Sequence, residues 1–501
     1  MSFLPSLFLL LGIVAFSSAG IPAPELFYDD QIVDHDNPDD LGRWSQRYYI
    51  WEYHFRGPGF PILVILGGEG SIDPTTGIVY PFVAEHLARD MGAFVLQPEH
   101  RFYGKSQPKP IGDLDDPREK LLTPKQALQD AMRLIEFYRE RLPCSSDRSS
   151  QDYCPVITVG GSYPGFLSAM ARLLFPQVVD MAYAASAPMK FYAQLTDVNA
   201  YYDHITAVAE KASPGCASVV REALDTVNNL ILGSSNDSID ELAVELGFCS
   251  GSVPAYIDSV QTFADEIFMI FGYSTANDNM AYYPPTERTR LYGMCRLFDD
   301  STKSATDKVK EFFLGRLAVE DNGCIAMTSQ LPTGRNATIS GGDWSGDGWG
   351  PSAESWDFQT CTLCVEKIGF SESSMYPKRE WTLSWMERHC WDRFGVVPRP
   401  HKLADEWGFD DLAGKTNASR ILFTNGLNDG WSVSGIKESL SPDLIALNFE
   451  NGAHHSDLSG RGPTDEDTPD IQAGFRTIKN ILFKWLFELR TEGDRINVAE
   501  Q

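Results

Sequence analysis

Positive charge is scarce in this chain. Its 42 lysines and arginines stand against 69 aspartates and glutamates, for a formal net charge of −27 and a pI of about 4.7. Phosphate binding needs clustered Lys and Arg, so nucleic acid is excluded as a partner. The same acidity suits a protein that works in acid, and equally one that needs only solubility. Long apolar runs are missing beyond the N-terminus. No later stretch reaches the roughly 18 residues that a membrane helix needs, so no membrane contact is expected once the leader is removed. Metal knuckles are also missing. Cys361-Thr-Leu-Cys364 has knuckle or redox spacing, but no second Cys or His pair stands at zinc-finger distance, so no metal and no cofactor are expected. There is no internal repeat and no low-complexity linker. The 43% hydrophobic and 12% aromatic content is that of a packed globular protein.

The N-terminus gives an address. Residues 1–19 carry an apolar stretch from Leu7 to Phe16 and then Ser17-Ser18-Ala19, which reads as a signal peptide cleaved after Ala19, although the n-region lacks Lys and Arg. Secretion, or delivery to a lysosome or vacuole, follows. Asn236, Asn336 and Asn417 head glycosylation sequons. Nine cysteines in a secreted chain read as disulfides with one thiol left over.

Short continuous apolar runs recur at 61–66, 93–96, 156–159 and 181–184, as buried parallel strands do. A helix over 123–138 lies between two of them, with Thr123 as N-cap and Pro124 at its first position. Beyond about residue 190 helical patterns dominate. Strand runs return at 420–424 and 444–449, and a helix with Phe475, Ile478, Ile481, Leu482 and Trp485 on one face closes the chain. The reading is one α/β domain, 20–190 and 406–501, interrupted by a mostly helical insertion over 191–405.

Chemistry concentrates at three turns. The run Val156–Val159 meets Gly160-Gly161-Ser162-Tyr163-Pro164-Gly165 and a helix follows at once. This has the form of a nucleophile elbow, G-x-S-x-G, with Pro164 in place of the trailing glycine. A serine needs a base, and the base needs a carboxylate. Asp429 follows one returning strand, and His454-His455 follows the next, 25 residues after Asp429. All three turns fall at the carboxyl edge of the expected sheet, where ligands bind.

Further motifs carry a resemblance. They are Gln31-Ile-Val-Asp-His35, Gln46-Arg-Tyr48, Gly67-Gly-Glu-Gly70, Glu99-His-Arg-Phe-Tyr-Gly-Lys-Ser106, Trp356-Asp-Phe-Gln-Thr-Cys-Thr362, Asn425-Gly-Leu-Asn-Asp-Gly-Trp431 and Gly452-Ala-His-His455. With these the chain resembles the family of lysosomal Pro-Xaa carboxypeptidase and dipeptidyl peptidase II. It departs at Pro164 and at Gly430, where the family usually has proline.

The resemblance implies an α/β-hydrolase fold with a mostly helical cap inserted between the nucleophile region and the Asp/His region. It implies Ser162 as nucleophile, His454 as base and Asp429 as its carboxylate; the choice of His454 over His455 rests on the resemblance alone. The oxyanion would meet the N–H of Tyr163 and one from the Gly68 loop. Expected substrates are short peptides cut after proline, with Trp431 as a wall of the proline pocket. Glu69 either pairs with a free amino group or anchors its own loop. Glu99, His100 and Arg101 read as an ion-pair cluster beneath the site. No cation for a substrate's carboxyl terminus is identifiable. A homodimer is left open. The rival readings are an esterase or lipase, or a non-catalytic binding protein on the same fold.

Overall fold

The computed structural model describes residues 21–39, 41–72, 77–109, 116–329, 351–459 and 462–499. The expected leader at 1–19 and the Asn336 sequon lie outside them. One sheet holds β1 (Leu26–Ile32), β2 (Arg43–Trp51), β3 (Ile62–Ile65), β4 (Phe94–Pro98), β5 (Val156–Gly161), β6 (Met181–Ala185), β7 (Ile421–Gly426) and β8 (Leu444–Phe449). Their order is β1-β2-β4-β3-β5-β6-β7-β8. β2 runs antiparallel to β1 and β4, and β4 through β8 are parallel. This is an α/β-hydrolase fold.

The central parallel strands β3 to β7 are fully buried and mostly apolar because both faces are covered. Ile62 and Val64 point to a core shared with Leu128 and Phe166. Leu63 and Ile65 point the other way, to a core shared with Phe475, Ile478, Leu482 and Trp485. Successive side chains thus serve opposite layers, as the pleat requires. The first layer is built by α1 (Pro124–Arg141) and α2 (Tyr163–Leu174). Thr123 caps α1, its side chain accepting the Gln126 N–H at 3.2 Å.

Between β6 and β7 the chain is helical. It forms α3 (Ala200–Ala212), α4 (Cys216–Leu232), α5 (Val260–Met280), α6 (Arg290–Asp299), α7 (Pro351–Thr360) and α8 (Leu383–Phe394) among others. Disulfides tie this region: Cys216–Cys295 joins α4 to α6, Cys249–Cys324 closes a loop, and Cys361–Cys390 joins the end of α7 to α8. A fourth, Cys144–Cys154, follows α1, and Cys364 is a buried thiol. The two cysteines of the 361–364 pair are therefore not bonded to each other. The closing helix is α9 (Pro469–Ala499). Among the described residues no helix is long and apolar enough to cross a membrane.

Candidate active site

β5 ends at Gly161 and α2 begins at Tyr163, so Ser162 alone turns the chain. Its backbone sits at φ 64°, ψ −133°, a region side chains rarely adopt, at a cost on the order of 1–3 kcal/mol. Hydrogen bonds hold it there: its N–H donates to the Ala185 carbonyl at 2.9 Å, and its own carbonyl accepts from Phe166 at 3.1 Å. A Cβ on Gly160 would fall 2.1 Å from the Pro164 carbonyl oxygen, and one on Gly165 would fall 2.6 Å from that of Ala185. Gly160 and Gly165 are thus the packing glycines of the elbow, and position 164 is free to be proline. Pro164 sits in the first turn of α2, where no N–H is needed. Its ring lies on Gly68, where a Cβ would come 2.4 Å from Pro164 Cγ. The Gly67-Gly68-Glu69 loop is thereby pressed against the start of α2.

His454, after β8, places Nδ1 2.7 Å from Asp429 Oδ2. Asp429 is buried, and its Oδ1 accepts the Trp431 N–H at 3.1 Å, capping the short turn Gly430–Ser434. A carboxylate only accepts, so Nδ1 carries a proton, and Nε2 is the nitrogen that holds the lone pair in the neutral ring. His455 is placed differently. Its ring packs over Gly161, where a Cβ would be 2.8 Å away, and meets Tyr80 edge-on at 5.8 Å. Its N–H donates to Ser186 Oγ at 2.9 Å. Burial holds its imidazole well below the ordinary range.

The C-terminal end of α5 clamps both loops. Asn279 Nδ2–H donates to the Asn428 carbonyl and Asn279 Oδ1 accepts from Gly430 N–H, each at 2.8 Å. The Met280 carbonyl accepts from His454 N–H at 3.3 Å. This explains Gly430. A proline would lose the N–H, and a Cβ would fall 2.8 Å from the Tyr201 ring.

Ser162, His454, Gly68, Glu69 and Trp431 all line one cavity of about 520 Å³; Asp429 stands behind it. Trp431 packs on Tyr201 at 4.8 Å and Phe191 at 5.6 Å, and its indole N–H points at Met280 Sδ at 3.4 Å. Glu69 Oε2 is sealed from solvent. Burial pushes this carboxyl up, against a hydrogen bond from its own backbone. Asn236 and Asn417 are exposed.

Beneath the elbow runs a directed hydrogen-bond chain. Tyr103 OH donates to Gln359 Oε1 at 2.6 Å, and Gln359 Nε2–H donates to Tyr163 OH at 2.9 Å. Tyr163 OH meets His100 Nε2 at 3.1 Å, and His100 Nδ1 meets the Arg101 carbonyl at 2.8 Å. The carbonyl fixes the tautomer: Nδ1–H donates and Nε2 accepts. Burial keeps His100 neutral, its pKa pushed down to about 4. The cluster expected over 99–101 is thus corrected at His100, which joins no ion pair among the described residues. Glu99 pairs with Arg47, and Arg101 pairs with Asp130 at 2.7 Å. Motif reasoning missed Asn279 and also Glu366, a buried cavity residue; neither lies in a motif, and a polar residue inside a helical pattern reads as surface.

An elbow serine and a histidine that line one cavity, with the carboxylate behind the histidine and two candidate N–H donors at Gly68 and Tyr163, make a set fit for acyl transfer. Residues 31–477 match the serine carboxypeptidase S28 family. Among relatives, the lysosomal Pro-X carboxypeptidase of Mus musculus is 26% identical over 470 residues, covering 91% of this chain and 89% of that one. The thymus-specific serine protease of Mus musculus is 28% identical over 484 residues, covering 93% and 88%. Among solved structures, the acylaminoacyl peptidase of Pyrococcus horikoshii aligns over 34% of this chain and 25% of its own, at 13% identity and a TM-score of 0.25. The match along 31–477 decides membership: this chain belongs to the serine carboxypeptidase S28 family of serine peptidases.

Proposed function

We propose that the chain is a serine exopeptidase that cuts short peptides on the carboxyl side of proline through an acyl-enzyme, in a secreted or lysosomal setting. The observation that carries the reading is the 2.7 Å contact of His454 Nδ1 with buried Asp429, in the cavity that Ser162 also lines. His454 Nε2 takes the Ser162 proton as Oγ attacks the scissile carbonyl, then gives it to the leaving amine. Water, activated by the same nitrogen, attacks the ester carbonyl and releases Ser162. The N–H groups of Tyr163 and Gly68 meet the oxyanion; the first N–H groups of a helix have no partner within it, which suits Tyr163. Proline preference is supported by the Trp431–Tyr201 wall, whose ring faces fit a pyrrolidine, and by the name of the Pro-X carboxypeptidase relatives. Those relatives' lysosomal label and the acidic composition support the setting.

The test compares Ala-Pro and Ala-Ala amides of a fluorogenic amine, with wild type and Ser162→Ala. The reading expects the proline peptide to be cut faster, by about tenfold or more for a filled apolar pocket, and no turnover by the variant. Hydrolysis of simple esters without any peptide cleavage contradicts it.

A further inference from the structure

We infer that Gln359 and His100 are positioning residues for the oxyanion donor: they grip the Tyr163 phenol, one from the helical region and one from the turn after β4, and so fix the direction of the Tyr163 N–H. The inference rests on the reading above that this N–H meets the oxyanion. The N–H belongs to the peptide joining Ser162 to Tyr163, so its direction follows ψ of Ser162 and φ of Tyr163. Ser162 is held at ψ −133° in a strained region, and such strain persists only where the surroundings over-determine it. The Tyr163 side chain is the handle on the far side of that peptide. Anchoring its ring and its hydroxyl fixes the Cα–Cβ bond, and with it the peptide plane.

Two sequence motifs meet at this phenol. From the helical region, α7 presents Trp356 and Gln359, three residues apart and so on one helix face. The Trp356 ring packs on the Tyr163 ring at 5.0 Å, and Gln359 Nε2–H donates to the Tyr163 hydroxyl at 2.9 Å. Ser355 Oγ–H donates to the Phe102 carbonyl at 3.0 Å, which binds α7 to the turn after β4 as well. From that turn, neutral His100 accepts the Tyr163 proton through Nε2 at 3.1 Å, with the two rings 5.6 Å apart. From Tyr103 to the Arg101 carbonyl each hydrogen bond points the same way. Tyr103, Gln359, Tyr163 and His100 are all buried. Apolar side chains of the same shape at these positions would leave no polar group to satisfy. What the run of hydrogen bonds adds is fixed lengths and a fixed direction, since a buried network with every member satisfied is rigid.

The experiment measures kcat and KM for the Ala-Pro amide of a fluorogenic amine and for a p-nitrophenyl ester, each per active site titrated with a fluorophosphonate. The ester needs the oxyanion donors but not the proline pocket. Tyr163→Phe cuts both grips and keeps the ring and the N–H. Gln359→Met keeps the size and loses both hydrogen bonds. The expected result for each is a fall in kcat of about 10- to 100-fold on either substrate, the scale of a donor displaced rather than deleted, with KM within about twofold. Affinity for a peptide boronic acid, whose tetrahedral adduct fills the oxyanion site, should fall by the same factor as kcat/KM. Gln359→Glu at pH 5, where burial keeps the new carboxyl neutral and able both to donate and to accept, should recover most of the lost kcat. A lower thermal midpoint with kcat per titrated site unchanged would mean a role in stability alone and overturns the inference, as does a loss confined to KM. If the ester is hydrolysed and the amide is not, only the post-proline reading fails, and the kcat comparison on the ester decides the role of Gln359 and His100. Ester turnover that survives Ser162→Ala removes the acyl-enzyme reading and this inference with it.

Discussion

Substituting Asp429 by asparagine separates geometry from charge. The amide oxygen can still cap the Trp431 N–H, but its NH2 turned to His454 Nδ1 would stabilise the tautomer whose Nε2 is protonated. The expected result is a fall in kcat on the order of 10⁴ with little change in thermal midpoint, read by steady-state kinetics and calorimetry. The carboxylate was legible because Asp429 stands in a Gly-rich turn after a strand, in the chain order of this fold. The choice within His454-His455 was not legible from composition or spacing. It depends on which ring reaches the carboxylate and which packs on Gly161. Pro164 and Gly430 read as departures, yet each is dictated by a neighbour distant in sequence: Gly68 for the one, Asn279 and Tyr201 for the other.

Helix α5 acts at the scale of an element. Its last turn holds the loops of Asp429 and His454 through Asn279 and Met280, so the helical region is hydrogen-bonded directly to both loops. Asn279→Ala removes two buried hydrogen bonds and leaves the Gly430 N–H unpaired. The expected cost is about 2–4 kcal/mol in urea unfolding, with a lower kcat. Unchanged stability and turnover would mean that the clamp is incidental. A lesser change, Thr123→Ala, should cost about 1 kcal/mol through the α1 cap alone and leave kcat alone. That cap was plain in the sequence, as were the apolar runs of β3 to β8. β1 and β2 were not. LFYDDQI of β1 places exposed Asp29 and Asp30 at an edge, with a register shift between Tyr28 and Gln31, so the alternation of a strand is broken.

The whole molecule titrates through groups buried in both regions. Burial raises Glu266, in α5, to about 7. Its stabilising contribution is therefore fully present below its unfolded value near 4.5 and is lost as pH rises through about 7, an effect on the order of 3 kcal/mol. His100 runs the other way. Depressed to about 4, it contributes stability above 6.5 that is lost as pH falls through about 4. Glu266→Gln should then raise the thermal midpoint at pH 8 and leave it unchanged at pH 4. An effect of equal size at both would show that its charge is not the cause. Such shifts are invisible in sequence because they depend on burial contributed by several elements, whereas the overall layout, an α/β sheet interrupted by helices, follows from the order of apolar runs. The central claim, that Ser162 is the acylated residue of a peptidase, is tested most directly by titrating the enzyme with a fluorophosphonate and locating the adduct by tandem mass spectrometry. The account predicts one adduct, on Ser162, formed in step with the loss of post-proline peptide cleavage. An adduct on a different serine, or cleavage that persists in the fully labelled protein, would contradict it.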